Sequence, residues 1–148
     1  MNISTIAIGS DHAGFKLKEQ LKSWLISKGY KINDHGTFSA APVDYPDFIH
    51  PVAQSVEDLT ADAGIVICGS GNGAAITANK HQNIRAALCW NVEIARFAKE
   101  HNNANIISLP SRYISVALAK KVVSAYLSAT FEGGRHSKRI DKIPYKCC

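Results

Sequence analysis

A chain of 148 residues, 46% hydrophobic and 20% charged, is long enough for one domain with a sizeable core and too short for two ordinary ones. The mix is that of a folded globular protein rather than a disordered one, and the longest apolar stretches fall far short of a membrane span. The formal charge of +5 is concentrated at one end, where residues 132–148 hold five basic side chains and two acidic ones. No aromatic series alternates with those charges as a strand-binding platform requires, so no nucleic acid is expected.

Met1 to Gly9 lacks the basic and long apolar regions of a signal peptide and reads as a first strand. Its apolar run ends at Ser10 and Asp11, good helix N-cap residues. A helix follows, with Leu17, Leu21, Trp24 and Leu25 at helical spacing and Gly29 as its stop. Tyr30 to Asn33 predicts a second strand. Residues 37–47, with Pro42 and Pro46, predict a loop, and a helix then runs through Val52 and Val56 toward Leu59. Ala63 to Ile67 predicts a buried third strand, and Ala74 to Lys80 the opening turns of a helix. Arg85 to Trp90 gives a fourth strand and Asn91 to Glu100 a helix. Ala104 to Leu109 gives a fifth strand and Tyr113 to Ser128 a long last helix.

Strands alternating with helices, without hairpin signals, indicate βαβ units and a parallel sheet. The expected fold is a single-domain three-layer α/β sandwich, Rossmann-like or flavodoxin-like, with a mostly parallel five-stranded sheet. Residues 1–148 form the domain, and 131–148 are its basic tail. In such sheets ligands bind beyond the carboxyl ends of the strands. Asp11-His12 and Cys68-Gly69 sit just past strand ends, whereas His101-Asn102 precedes its strand.

The four cysteines form no disulfide framework. No CxxC, HExxH or paired Cys/His spacing suits zinc, and Cys147-Cys148 is wrongly placed for prenylation. Reduced thiols in a cytoplasmic protein are the simplest expectation. The chemistry concentrates in Cys68-Gly69-Ser70-Gly71-Asn72-Gly73-Ala74. Glycine spacing lets the loop turn its N–H groups toward one point, which makes an anion cradle. A thiol beside such a cradle is favoured as thiolate by the same field. A dinucleotide fingerprint would need an acidic residue about 20 positions on, where Cys89, Trp90 and Asn91 stand. A cysteine phosphatase loop would need an arginine at Ala74. Alone, Cys68 reads as a buried hydrophobe, His101 as a helix-end residue and the tail arginines as a solvated face. His35, His50 and His81 show no partner pattern.

Together the strings Gly9-Ser10-Asp11-His12-Ala13-Gly14-Phe15, Asp44-Tyr45-Pro46, Ile67 to Gly73, Ala78-Asn79-Lys80, Ile84-Arg85-Ala86, His101-Asn102-Asn103-Ala104-Asn105, Ser111-Arg112 and Glu132-Gly133-Gly134-Arg135-His136 change this reading. In this order they resemble the type B ribose-5-phosphate isomerases, of the ribose/galactose isomerase family. The resemblance implies metal-independent, cofactor-free interconversion of ribose 5-phosphate and ribulose 5-phosphate through a cis-enediolate, a step of the pentose phosphate pathway. It implies Cys68 as the base, in place of the glutamate that another branch carries at the position of Ala74. Ser70 then shuttles protons, His101 opens the sugar ring and Asp11 orients a hydroxyl. The N–H groups of Gly69, Gly71, Asn72 and Gly73 stabilise the enediolate. Tyr45 and Asn102 contact the sugar, and His12, Arg112, Arg135 and Arg139 hold phosphate.

A sugar phosphate is thus the expected ligand, in composite sites of a homodimer or dimer of dimers. His101, with Arg112, would cross to the neighbouring subunit. The wide apolar stripe Leu118, Ala119, Val122, Val123, Ala125, Tyr126 and Leu127 suggests a second surface to cover. A non-catalytic sugar-phosphate sensor on the same fold is the rival, and allose 6-phosphate or galactose 6-phosphate are rival substrates.

Overall fold

The computed structural model describes residues 2–147; the start of the first predicted segment, Met1, and the thiol of Cys148 lie outside the described residues. Five strands form one sheet: β1 (Thr5–Ser10), β2 (Lys31–Asp34), β3 (Ala63–Cys68), β4 (Ala86–Leu88) and β5 (Ile106–Pro110). Their order is β2-β1-β3-β5-β4, and every neighbouring pair is parallel. The first three strands follow the flavodoxin-like order, while the last two exchange places relative to it. That exchange puts β5 between β3 and β4, so the chain leaving β5 emerges beside Cys68.

Helices cover both faces, as a parallel sheet requires. The helices are α1 (Phe15–Ser27), α2 (Tyr45–Glu57), α3 (Asn72–Ala78), α4 (Val92–Glu100) and α5 (Val116–Ser128). Side chains of β3 alternate between two cores. Ile65 and Ile67 join α1, α4 and α5 on one face, while Val66 and Cys68 join α2 and α3 on the other. The basic tail is structured too, with a 3-10 turn at Gly134–His136 and a short helix α6 (Ser137–Ile140).

Several boundaries move for identifiable reasons. Ser10 completes β1 instead of capping a helix, and α1 begins only after Gly14. Asp11 keeps a capping function one turn early: its Oδ1 accepts the Gly14 N–H at 3.0 Å. The predicted loop ends at Tyr45, because Pro46 suits a first helical turn, where no N–H is needed. The wide stripe of α5 is largely covered by its own chain. Ala119, Val122, Val123 and Tyr126 are buried, and Leu118, Ala125 and Leu127 pack half-buried against the same core. It therefore gives no separate reason for a second subunit.

An unexpected feature is Lys18, whose side chain is fully buried on the apolar face of α1. Its Nζ donates to both Asp34 oxygens at 2.8 Å and to Glu19 at 2.6 Å. Lys22 adds a 2.7 Å bond to Asp34, and the Gly36 N–H adds another at 3.0 Å. Burial pushes the Asp34 carboxyl up, but the bonds from Lys18, Lys22 and Gly36 outweigh it and hold the group below its ordinary value. The segment fixed in this way continues the β1 pairing: Ser10 donates to Gly36 and Thr37 donates to Ser10, both at 2.7 Å. Asp34 therefore steadies the end of β1 from which Asp11 and His12 emerge.

A buried ion pair that loses one member leaves an uncompensated charge, a loss of about 3–5 kcal/mol. Asp34→Asn should lose stability of that order in urea unfolding at pH 7. The Asp34 contribution is complete above the unfolded aspartate pKa and fades as pH falls through the lower folded value. The gap between parent and variant should therefore narrow as unfolding is repeated below pH 4.

Candidate active site

The carboxyl ends of β1, β3 and β5 meet at a cleft of about 290 Å³ lined by Asp11, Tyr45, Cys68, Gly69, Ser70, Gly73, Arg112 and Tyr113. Cys68 is the last residue of β3 and is 4% exposed. The β3–β5 pairing extends past the strand ends, with Ser111 N–H donating to the Cys68 carbonyl at 2.9 Å and Arg112 N–H to Gly69 at 3.0 Å. The Ser111 hydroxyl reaches the carbonyls of Ala13, at 2.9 Å, and Cys68, at 3.1 Å. One small side chain thus ties the segments after β1, β3 and β5 together.

The glycine loop is constrained at its centre. Gly71 sits at φ +76°, and a Cβ there would lie 2.4 Å from the Leu88 side chain. Both facts restrict the position to glycine. Its carbonyl accepts the buried Ser108 hydroxyl at 2.7 Å. The Ser70 hydroxyl accepts from the Asn72 backbone and side chain at 3.3 and 3.2 Å. Among the described residues, the N–H groups of Ser70 and Gly71 have no protein acceptor. Arg112 lies over Gly69, and the Tyr45 ring lies so close to Gly73 that a Cβ there would be 2.6 Å from it. Beside the cleft, His12 Nδ1 meets the Val43 peptide, 3.1 Å from its N–H. The ring is held through one nitrogen, with Nε2 outside that contact.

His101, Asn102, Arg135 and Arg139 do not join this group. His101 follows α4 and precedes β5, so the length of β5, five residues at about 3.3 Å each, separates it from the Cys68 end of the sheet. Asn102 lines another cavity, of about 440 Å³, with Arg85, Ala86 and the tail residues Ile143, Pro144 and Tyr145. Arg135 and Arg139 are exposed near His101. The segment is firmly held: Arg85 Nε and Nη2 bond the Asn103 carbonyl at 3.1 and 2.9 Å, and the buried Tyr126 hydroxyl donates to Ala104 at 3.0 Å. The larger cavity has no thiol.

Arg112 departs from the expectation that it crosses with His101. It follows β5 directly and therefore lines the cleft of its own chain. Tyr113 and Ser111 were missed as contributors to the cleft. The Ser111-Arg112 string was their only signal, and the pinning by Ser111 depends on strand order.

An all-parallel α/β sheet with a thiol, a carboxylate, a hydroxyl and an arginine around a glycine loop at its carboxyl end has the place and lining of a small-metabolite site. The Ribose/Galactose Isomerase family model matches residues 6–143, and the chain belongs to that family. The type B ribose-5-phosphate isomerase of Escherichia coli K12 is 41% identical over 93% of each chain. A crystal structure of a ribose 5-phosphate isomerase from Thermotoga maritima is 51% identical and superposes with a TM-score of 0.94, covering 95% of this chain and 97% of that one. The Mycoplasma genitalium type B enzyme, solved with bound ribulose 5-phosphate, is 41% identical with a TM-score of 0.91, covering 97% and 95%. The chain is a sugar-phosphate isomerase. No helix among the described residues is long and apolar enough to cross a membrane.

The thiols can be told apart chemically. Cys89 is fully buried, and burial pushes its thiol up to about 12. Very little of this thiol is therefore the reactive thiolate near neutral pH. Iodoacetamide with peptide mass mapping should label exposed Cys147 first, cleft-lining Cys68 more slowly, and Cys89 only after unfolding. Labelling of native Cys89 at the rate of Cys147 would contradict this assignment.

Proposed function

We propose that this isomerase interconverts ribose 5-phosphate and ribulose 5-phosphate in composite sites, each built from the Cys68 cleft of one chain and the His101 end of another. One observation carries the reading. The residues needed for proton transfer gather at one end of the sheet, while the ring-opening and remaining phosphate-binding candidates gather at the other. A second copy supplies the missing half to each cleft, which favours a homodimer. The activity of the relatives supports the substrate, and a metabolite interconverted by reduced thiols fits a cytoplasmic enzyme.

In this reading His101 relays the proton of the C1 hydroxyl to the ring oxygen, taking it at the imidazole and giving one back, and the furanose opens to the aldehyde. Asp11, nine-tenths buried at the cleft wall, orients the sugar hydroxyls. The Cys68 thiolate then takes the proton from C2 while negative charge moves to the carbonyl oxygen. The N–H groups of the Gly69–Gly73 loop face that charge as it develops, where electrostatic stabilisation is most effective. Ser70 passes a proton between the oxygens on C1 and C2, and Cys68 returns its proton to C1. Tyr45 and Asn102 contact the sugar. His12 and Arg112 from one chain, with Arg135 and Arg139 from the other, hold the phosphate through charge-assisted bonds. Phosphate binding far from the reacting carbons aligns them, so it supports turnover as well as affinity. A non-catalytic sensor would have no use for the base.

Purified protein incubated with ribose 5-phosphate and EDTA should produce ketose. Cys68→Ala should lower turnover by at least about 10²–10⁴-fold, the usual contribution of general-base catalysis, while retaining substrate binding. Mixing Cys68→Ala with His101→Ala under subunit exchange should restore activity, because each hybrid dimer holds one intact site. No ketose from the parent would exclude the reaction, and no recovery despite verified exchange would exclude shared sites.

A further inference from the structure

His101 ends α4, and its imidazole lies between two other flat rings. Phe97, one helical turn back, covers one face, with ring centroids 4.5 Å apart and planes 20° from parallel. His136, from the 3-10 turn of the tail, covers the other at 4.4 Å and 10°. Glu132 lies along their edges, its Oε2 3.5 Å from His136 Nε2 and 3.8 Å from His101 Nε2. The tail is docked onto the end of α4 by the Glu132 N–H, which donates to the Glu100 carbonyl at 3.0 Å.

This packing has a cost that core formation does not explain. The His136 side chain is nine-tenths buried, and its Nε2 makes no hydrogen bond, although the Glu132 carboxylate faces it at 3.5 Å. A buried polar atom without a partner is destabilising. Burial first, then His101 and Arg135, push the His136 imidazole below its ordinary value, against the opposing pull of Glu132. What the arrangement gains is control of a soft coordinate. The last torsion of a histidine side chain is broad, and a ring at a half-exposed helix end would otherwise turn freely.

The same three residues bring candidate ligand atoms within 4.8 Å of one another. Ring planes 10° from parallel send their in-plane lone pairs side by side instead of toward one ion, which does not suit a metal. The sandwich geometry suits a clamp.

We propose that His136 is a positioning residue for His101: with Phe97 behind the ring and Glu132 at its edge, it sets the ring plane and the direction of the nitrogen offered to the sugar. The inference rests on the ring-opening assignment of His101 made above. His136 touches no substrate in this account and acts only through its neighbour.

The test is steady-state turnover of ribose 5-phosphate by the full-length parent, His136→Leu, His136→Phe, His101→Ala and the double variant His101→Ala/His136→Leu. Each is checked for parental circular dichroism and size, with enzyme concentration raised to keep slow variants measurable. A misplacement of about 1 Å can cost on the order of 100-fold. His136→Leu is therefore expected to lower kcat by about 10- to 100-fold while KM stays within about threefold. His136→Phe restores a flat ring and should recover most of that loss. The double variant should be no slower than His101→Ala alone, because coupled residues do not add. Should His136→Leu fail to fold, Phe97→Leu removes the other face of the clamp and should show the same kcat loss and the same non-additivity. Full turnover in His136→Leu, equal losses in the leucine and phenylalanine variants, or additive losses in the double variant would overturn the inference. Full turnover in His101→Ala would instead overturn the assignment on which it rests.

Discussion

The pairing of β3 with β5 is the constraint from which the rest of the cleft follows. The ladder runs from Gly64 opposite Ile106 to Cys68 opposite Pro110, and continues as Ser111 and Arg112 donate to the carbonyls of Cys68 and Gly69. A parallel register places the ends of both strands at one level, so the two following loops must rise side by side. One strand-end thiol, one glycine loop and one arginine are thereby brought together, and the Ser108 and Ser111 hydroxyls of the β5 segment fasten them by bonding the carbonyls of Gly71 and Cys68. A slip by one residue would turn Cys68 away from its face of the sheet and remove the thiol from the cleft.

The second consequence of topology is separation. A helix that crosses over between parallel strands returns the chain from their carboxyl ends to their amino ends. α4 makes such a return, and it leaves His101 and Asn102 at the amino ends of the strands. The tail turns back onto the same end through the Glu132–Glu100 bond. Thus one chain holds two groups of chemically capable residues, each incomplete for the proposed reaction. The proposed sharing between two chains would complete both groups.

Two cations that the fold encloses are compensated by local geometry. Lys18 is enclosed by Asp34 and Glu19, with the Phe15 and Phe38 rings 5.7 and 5.4 Å from its Nζ. Arg85 is compensated differently, by carbonyl oxygens of Asn102 and Asn103 rather than by a carboxylate. Both arrangements hold loops next to residues proposed for catalysis, and neither touches the cleft. Their contribution to function is rigidity.

The sequence alone determined the class of fold, because alternating strand and helix periodicities with no hairpin signal leave few options. It also singled out the candidate site residues: Cys68 with its glycine loop, Asp11 and His12 after β1, Arg112 after β5, and His101 as a residue on the wrong side of its strand. Those signals are local, carried by short runs whose meaning does not depend on distant partners. Pairings between distant residues were not legible. Periodicity could not show that Lys18 is buried, since a lysine beside Leu17 reads as solvated until Asp34 is brought to it. It could not show that the broad face of α5 is covered by its own chain, or that Ser111 pins three loops. The Phe97–His101–His136 stack lay equally hidden, because a helix end and a tail 35 residues later meet only through folding. Strand order decided these matters. It is chosen by the packing of whole helices on the two faces of the sheet, and no single segment of sequence encodes it.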